Sequence, residues 1–217
     1  MELLEMINKV IQGDCLPLLK ELPDKCIDLV LTDPPYGINI EDNYAIGGRN
    51  DKLKDLTIDW DNEIPKKEVF NEMERVSKEQ IIFGANYFNC FNGERGAIIW
   101  DKFQPLPTAS QCEIASYSRL KKVFKYTERW TNFVNTKTSG HPTEKPVSLM
   151  EWIIANFTQE NDLVLDCFLG SGTTAVACKK LNRRFIGLEI SEEYCAIARQ
   201  RLAQGVLNFL TTNLMRG

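Results

Sequence analysis

Hydrophobic and polar positions alternate along the chain in two patterns. Short apolar runs bounded by turn residues predict buried strands, and longer stretches with apolar residues at helical spacing predict helices. Their alternation is typical of an α/β fold with a mostly parallel sheet and helices on both faces. Strands are predicted at residues 27–32, 80–83, 97–100, 113–117, 163–166 and 184–188, and helices at 16–22, 66–77, 146–157, 173–181 and 192–204.

Two segments depart from this alternation. Residues 39–63 are polar, contain Gly47-Gly48 and are long for a connection, which predicts a mobile functional loop. Residues 119–140 interleave basic and aromatic side chains, which predicts a small basic insertion. Because 217 residues suit one domain, the whole chain, 1–217, is predicted to be a single domain.

The amino-acid composition limits the class of protein and the cellular compartment that we expect. The 43% hydrophobic and 26% charged fractions are ordinary for a globular chain, and no apolar run approaches the ~20 residues that span a bilayer. The N-terminus lacks the basic start of a signal peptide, so we expect a cytoplasmic protein without membrane contact. The seven cysteines form no Cys-x-x-Cys pair and are expected to be reduced; with one histidine, His141, no metal site is expected.

Asp33-Pro34-Pro35-Tyr36 directly follows the strand predicted at residues 27–32. The prolines fix their own φ, restrict the residues before them and offer no backbone N–H, which leaves a surface rich in hydrogen-bond acceptors. Tyr36 adds a flat ring for stacking. The turn therefore predicts a pocket for a planar amine, although the tetrapeptide alone is equally compatible with an ordinary strand-ending turn.

A glycine-rich loop follows the strand predicted at residues 163–166. Gly170, Gly172 and Ala175 match the G-x-G-x-x-A pattern, in which missing side chains let a nucleotide approach the amides of a helix N-terminus. Glu189 ends the next predicted strand, where an acid can accept the hydroxyls of a ribose. The pattern does not separate NAD from another adenosine-containing cofactor, and such glycines also allow close strand–helix packing without any ligand.

The two motifs are expected to meet in space. Ligands of doubly wound sheets bind beyond the carboxyl ends of the strands, at the point where strand order reverses. We therefore expect the strands that precede Asp33 and the Gly170 loop to lie side by side. Two further strand ends, Trp100-Asp101-Lys102 and Phe83-Gly84-Ala85-Asn86, either shape the same pocket or are ordinary strand ends.

With these signatures in this order, the chain resembles the amino-methyltransferases of DNA, which use S-adenosylmethionine to methylate adenine or cytosine amines. Asp33-Pro34-Pro35-Tyr36 matches the catalytic motif and residues 166–174 the cofactor motif. Residues 141–146 match the segment before the cofactor motif in the permuted group, whose catalytic half comes first. Gly13-Asp14-Cys15 is similar to the element that contacts the cofactor's adenine, whereas Cys167 replaces a frequent proline.

The resemblance implies a Rossmann-like, doubly wound, mostly parallel sheet of seven strands, with S-adenosylmethionine as cofactor and S-adenosylhomocysteine as product. It places Glu189 on the ribose, Asp14 on the adenine amine, and Thr143 and Lys145 on the cofactor carboxylate. The implied cofactor-binding residues are Asp14, Cys15, Asp33, Thr143, Lys145, Asp166, Phe168, Gly170, Ser171, Gly172, Thr173 and Glu189.

The resemblance also implies a mechanism. A target adenine is flipped out of the duplex and stacked on Tyr36. Asp33 and the Pro34 carbonyl accept the two amine hydrogens, which frees the nitrogen lone pair for in-line attack on the methyl carbon without a covalent enzyme intermediate. The implied catalytic residues are Asp33, Pro34, Pro35 and Tyr36.

Charge is concentrated in one segment of this chain, whose net charge is −4. Residues 119–145 contain seven basic and two acidic side chains, which favours local phosphate contact, with a solvated surface hairpin as the alternative. Since the segment is too short for a separate recognition domain, sequence specificity is expected to be short, relaxed or shared with a second subunit in a homodimer. The predicted DNA contacts are Arg119, Lys121, Lys122, Lys125, Arg129 and Lys137.

Alternative functions stay open at this point. Family members that act on the N4 amine of cytosine more often carry serine where Asp33 stands, so the N6 amine of adenine is favoured. A catalytically inactive DNA- or cofactor-binding relative would have lost Asp33, Tyr36 or the Gly170 loop, and none is lost. A nicotinamide oxidoreductase would need a second nucleotide-binding half in the N-terminal part, and RNA remains a possible substrate because the amine-holding turn does not read the sugar.

Overall fold

The computed structural model of the chain describes residues 2–38, 63–88, 95–103, 110–119, 121–129 and 144–214, with side chains up to residue 204. The described strands are β1 (Lys9–Gln12), β2 (Ile27–Thr32), β3 (Ser77–Phe83), β4 (Gly96–Asp101), β5 (Cys112–Tyr117), β6 (Val123–Thr127), β7 (Leu163–Asp166) and β8 (Arg184–Glu189). The described helices are α1 (Leu3–Met6), α2 (Cys15–Glu21), α3 (Lys67–Val76), α4 (Val147–Phe157), α5 (Thr173–Lys180) and α6 (Glu192–Leu214).

All eight strands join one sheet in the order β1-β8-β7-β2-β3-β5-β4-β6. Every neighbouring pair is parallel except the two that involve β5, which runs antiparallel to β3 and β4. From β2 the chain continues outward to β3, and from β7 it continues in the other direction to β8. Strand order therefore reverses between β2 and β7, which are hydrogen-bonded neighbours. The predicted α/β fold and the predicted adjacency of these strands are confirmed.

The prediction of seven strands was wrong, because the described residues contain eight. β1 was missed because it has four residues, too few for a clear pattern. β6 was missed because its burial alternates, with Phe124 and Tyr126 half-buried between exposed neighbours such as Lys125. This period of two is that of an edge strand covered on one face, and it was hidden by the basic side chains.

The sheet is covered on both faces by separate hydrophobic cores. α4, α5 and α6 cover one face, where Leu149 and Ile153 pack with strand residues such as Leu31 and Phe83. α1, α2 and α3 cover the other, where Leu19 and Met73 pack with further strand side chains. Coverage on both faces explains why β7 and most of β2 are apolar and buried. Along the part of the chain that the structure describes, no helix is long and apolar enough to cross a membrane.

The segment predicted as a mobile loop, 39–63, lies outside the described residues except for Glu63. The predicted basic insertion, 119–140, is described for residue 119 and residues 121–129. Within that part, Val123–Thr127 belong to the main sheet as β6. The described part of the basic segment is therefore continuous with the main sheet.

Candidate active site

A cavity of about 610 Å³ opens at the carboxyl ends of β2 and β7. Thirteen of the predicted catalytic and cofactor-binding residues line it. Gly172 lies in the adjacent turn without lining the cavity, and Thr143 lies outside the described residues. The lining residues that the sequence predicted are Asp14, Cys15, Asp33, Pro34, Pro35, Tyr36, Lys145, Asp166, Phe168, Gly170, Ser171, Thr173 and Glu189.

A buried hydrogen bond joins the two strands that carry the motifs. The Thr32 hydroxyl at the end of β2 donates to Asp166 Oδ1 at the end of β7 over 2.6 Å. Asp166 Oδ1 also accepts the Phe168 amide over 3.1 Å, which bends the chain as it leaves the strand. Burial raises the pKa of Asp166 to about 6. The start of the acceptor turn and the start of the glycine loop are thus tied to one carboxyl group.

Asp33 is held by donors on both of its oxygens. The Tyr36 hydroxyl donates to Oδ1 over 2.6 Å, and the Lys145 ammonium contacts Oδ2. Burial raises the pKa of Asp33, the Lys145 charge opposes this rise, and the Glu113 charge adds to it. Each carboxylate oxygen has a second lone pair, so the ionised Asp33 can still accept a hydrogen from an incoming amine.

Lys145 is almost fully buried between two carboxylates. Its Nζ contacts Asp33 Oδ2 and lies 3.0 Å from Glu113 Oε2. Burial alone would lower the pKa of Lys145, but the two negative charges outweigh burial and raise it. The sequence interpretation placed this ammonium on a cofactor carboxylate, whereas the structure gives it Asp33 and Glu113 as its partners.

Tyr36 forms an aromatic wall of the cavity. Its ring stacks on Tyr87 with the centroids 4.6 Å apart and 13° between the ring planes. Gly84, at a φ of 75°, makes this packing possible, because a Cβ at that position would lie 2.3 Å from a Tyr36 ring carbon. The Phe88 ring packs against the Tyr36 ring in a T-shaped arrangement, with 6.1 Å between the ring centroids. Burial, followed by the Asp33 charge, raises the pKa of Tyr36 well above its usual value, so the hydroxyl remains a donor.

The glycine loop is shaped from two sides. Gly172 precedes α5 at a φ of 89°, and a Cβ there would lie 2.8 Å from Cβ of Ala198 in α6. Glycine is therefore required at position 172 by the backbone conformation and by the packing of this turn against α6. On the other side, Glu189 Oε2 accepts the Gly170 amide over 2.7 Å, and Oε1 accepts the Ser191 amide over 2.8 Å.

Arg201 of α6 braces this loop and was not singled out by sequence reasoning. Its guanidinium donates to the Ser171 carbonyl and hydroxyl, both over 2.9 Å. The same group lies 2.8 Å from Glu144 Oε1, the residue before Lys145. One side chain thus connects the glycine loop to the segment that supplies the counter-ion of Asp33. An arginine in an otherwise ordinary helix gives no sequence signal for this contact.

Asp14 and Cys15 have local structural interactions. Asp14 is exposed and caps α2, because its Oδ1 accepts the Leu16 amide over 3.0 Å. The Cys15 thiol is buried, and burial raises its pKa to about 12. Both residues reach the cavity wall beside Glu189, since the Gly13 amide donates to the Glu189 carbonyl.

The predicted DNA contacts lie near both ends of the strands. We call the end at which the cavity opens the cavity edge of the sheet and the opposite end the far edge. Because β5 runs antiparallel, the chain passes Arg119 at the edge away from the cavity and returns along β6. Lys121 and Lys122 precede β6 at that far edge, roughly 16 Å from its cavity end at 3.3 Å per residue. Arg129 follows β6 at the cavity edge, where its guanidinium lies 5.0 Å from the Phe103 ring centroid.

Among the described residues, Arg119 and Lys125 are paired with carboxylates. Arg119 lies 2.5 Å from Glu79, and Lys125 lies 2.7 Å from Asp101. Lys137, also predicted to contact DNA, lies outside the described residues. The described geometry therefore leaves Arg129 as the predicted contact that lies beside the cavity.

A doubly wound sheet whose switch point holds a glycine loop beside an acceptor-rich turn defines the class of Rossmann-like, cofactor-dependent proteins. The family model N6_N4_Mtase, described as DNA methylase, matches residues 99–200. The protein named "Putative methylase YubD" of Escherichia coli (strain K12) is 31% identical over 216 residues that cover 91% of this chain and 91% of YubD. The chain therefore belongs to the DNA amino-methyltransferase family.

A further relative agrees with this assignment, and two solved structures share the fold. The Type II methyltransferase M2.DpnII of Streptococcus pneumoniae is 29% identical over 249 residues, which cover 90% of each chain. M1.HpyAVI in complex with SAM has a TM-score of 0.57 at 24% identity, covering 89% of this chain and 98% of that one. The cytosine-N4-specific PvuII DNA methyltransferase has a TM-score of 0.58 at 18% identity, covering 88% and 85%. The two structures show that the fold is shared.

Replacing Gly84 with alanine should displace the Tyr36 ring. The added Cβ would overlap the ring and the residue would be strained at positive φ, so we expect the free energy of unfolding to fall by about 1–3 kcal/mol. Chemical denaturation measures this change, and near-UV circular dichroism reports the lost Tyr36–Tyr87 stacking. In a Tyr36→Ala background the same Gly84→Ala change should be less destabilising, and equal costs in both backgrounds would contradict the proposed clash.

Proposed function

We propose that this chain transfers the methyl group of S-adenosylmethionine to the N6 amine of adenine in DNA, releasing S-adenosylhomocysteine, in the cytoplasm. The observation that carries this proposal is the cavity at the β2/β7 junction. It brings the Asp33 turn and the Gly170 loop, which are far apart in sequence, to one space. Membership of the DNA amino-methyltransferase family supports a DNA amine as the acceptor.

The residues around the glycine loop fit an adenosine-containing cofactor. Glycine at 170 and 172 leaves backbone amides accessible at the start of α5, and the Glu189 carboxylate lies at the adjacent end of β8. When bound, S-adenosylmethionine supplies an electrophilic methyl group on a sulfonium. Phe168 and residues 170–173 would line its methionine part, Glu189 its ribose and Asp14 its adenine edge, while Arg201 keeps the loop in place.

The Asp33 turn would hold the target amine. A base inside a duplex cannot reach this cavity, so it must be flipped out and stacked on the wall formed by Tyr36 and Tyr87. Asp33 and the Pro34 carbonyl would each accept one amine hydrogen, directing the nitrogen lone pair at the methyl carbon. Because the acceptors are fixed before substrate arrives, alignment and preorganised electrostatics would supply most of the acceleration.

Adenine is proposed over cytosine because of the first residue of the acceptor turn. This chain has Asp33 there, whereas cytosine-specific family members more often have serine. The fold does not discriminate between the two bases, since the cytosine-N4-specific PvuII enzyme shares it. The permuted order, with the catalytic half first, is part of the same proposal. We also propose that Arg129, and Lys102 within the cavity, lie on the side from which DNA approaches.

The identity of the methylated base can be read directly. Genomic DNA from a host without DNA methyltransferases should gain N6-methyladenine after incubation with the protein and S-adenosylmethionine. Digestion to nucleosides followed by mass spectrometry measures the product. If N4-methylcytosine were the only new nucleoside, the enzyme would act on cytosine and the proposal of adenine would be wrong. RNA treated in parallel shows whether the enzyme accepts ribose in place of deoxyribose.

Asp33→Ala should abolish methyl transfer while leaving cofactor affinity within about threefold. The acceptor is lost, whereas the glycine loop and Glu189 do not contact Asp33 in the structure. Radioactive methyl incorporation measures transfer, and calorimetric titration with S-adenosylhomocysteine measures binding. Asp24→Ala removes an exposed carboxylate remote from the cavity and serves as the matched control. An active Asp33→Ala variant would rule out the proposed acceptor.

Gly172→Asp should instead prevent cofactor binding, and the structure adds a reason beyond charge. Any side chain at this position meets Ala198 and the residue would be strained at a φ of 89°. The loop is therefore expected to be displaced, and the thermal midpoint should fall together with affinity. Retained affinity in a folded Gly172→Asp variant would contradict the assignment of this loop to the cofactor.

The two edges of the sheet can be compared as DNA contacts. When one basic side chain that contacts a phosphate is removed, the slope of log affinity against log salt concentration becomes less steep by roughly 0.9. We expect Arg129→Gln to show this reduction on a short duplex of random sequence, because Arg129 lies at the cavity edge. Lys121→Gln removes the same charge at the far edge and should change the slope less. An equal reduction in both variants would contradict a DNA path confined to the cavity side.

A further inference from the structure

A row of four charged side chains runs from the acceptor turn into the sheet. Lys145 Nζ joins Asp33 to Glu113 Oε2, and Lys102 Nζ lies 2.6 Å from Glu113 Oε1. The signs alternate from Asp33 to Lys102, so the four groups are neutral together. Neither Glu113 nor Lys102 belongs to the motifs that define the acceptor turn or the glycine loop.

The four residues come from four separate parts of the fold. Asp33 follows β2, Lys145 precedes α4, Glu113 lies in the antiparallel strand β5, and Lys102 follows β4. Their side chains are between 4% and 21% exposed, so water screens them poorly. Lys102 is further fixed over Trp100, whose ring centroid is 5.0 Å from Nζ. A buried row of this kind needs every member, because removing one leaves an uncompensated charge.

From this geometry we infer that Glu113 and Lys102 are positioning residues: Glu113 fixes Lys145 beside Asp33, and Lys102 neutralises Glu113, so that the Lys145 charge remains available to keep Asp33 an ionised acceptor. The inference rests on the proposed function in assigning Asp33 to the amine. An ionised carboxylate only accepts hydrogen bonds, whereas a protonated one presents a donor to the amine hydrogens. Activity is therefore lost as pH falls through the pKa of Asp33.

Among the described residues, three other titratable groups lie close to Asp33. Tyr36 donates to it, Asp166 lies at the end of the neighbouring strand, and Tyr87 lies behind Tyr36. Burial raises the pKa of Asp33, and Lys145 limits the rise. Burial also acts to raise the pKa of Glu113, but Lys145 and Lys102 outweigh it and the pKa of Glu113 is lowered. Glu113 thus remains charged and keeps Lys145 between the two carboxylates.

The inference predicts shifts of opposite sign in the titration of Asp33. Glu113→Gln removes a negative charge while retaining an oxygen for Lys145, so the pKa of Asp33 should fall. Lys102→Met leaves Glu113 to draw Lys145 away from Asp33, so the pKa of Asp33 should rise. At these separations each change should amount to roughly half a pH unit or more. The Glu113→Gln/Lys102→Met double variant restores neutrality and should titrate near the wild-type value.

Carboxyl ¹³C NMR of the full chain labelled at aspartate measures this titration without DNA or cofactor. The Asp33 resonance is identified by its absence from Asp33→Asn. Because no turnover is needed, failure of the inference is distinguishable from failure of the proposed methyl transfer. Where methyl transfer is measurable, the acid limb of its pH profile should shift in the same direction as the Asp33 titration in each variant.

Matched variants separate this effect from a general loss of stability. Lys102→Arg keeps the charge and should keep the wild-type titration, giving a second reading if Lys102→Met does not fold. Lys180→Met and Glu151→Gln remove the same charges from a surface pair remote from the cavity and should leave Asp33 unchanged. An Asp33 titration that is unchanged in both network variants, or that moves in the same direction in both, overturns the inference.

Discussion

The site depends on one constraint, the parallel pairing of β2 with β7 at the point where strand order reverses. Both strands are mostly apolar and buried, and the last residue of each is polar and buried, Thr32 in β2 and Asp166 in β7. The Thr32–Asp166 hydrogen bond fixes these ends relative to one another in a buried setting, where an unpaired carboxyl or hydroxyl would be costly. The acceptor turn and the glycine loop therefore leave the sheet side by side, although 134 residues separate the two partners.

A second constraint is electrostatic. A carboxylate that must accept hydrogens from a neutral amine is needed in its ionised form, yet the burial that excludes water from the reaction disfavours that form. The structure resolves this conflict by placing the Lys145 ammonium on Asp33 and the Tyr36 hydroxyl on its other oxygen. Glu113 and Lys102 add a second pair of opposite charges beside Lys145. Chemistry and packing are thus coupled through a small number of buried charges.

Much of this arrangement could be predicted from the sequence, for identifiable reasons. Strands buried on both faces are continuous apolar runs, and the switch-point rule places Asp33 beside Gly170 without any knowledge of contacts. β6 escaped because an edge strand alternates, and its lysine hid the alternation. The reversal of β5, which sends Arg119 and Lys121 to the far edge, could not be read from local patterns. The contact of Lys145 with Glu113 was missed for the same reason, since Glu113 lies in that antiparallel strand.

The central claim is that cofactor and amine share one cavity, so that the methyl group passes directly between them. The stereochemistry of transfer tests this most directly. S-adenosylmethionine made chiral at the methyl group with hydrogen, deuterium and tritium is incubated with the protein and unmethylated genomic DNA, and the configuration of the transferred methyl is determined. A single in-line displacement predicts inversion. Retention would require a methylated enzyme intermediate and would contradict the account of a preorganised acceptor facing the cofactor.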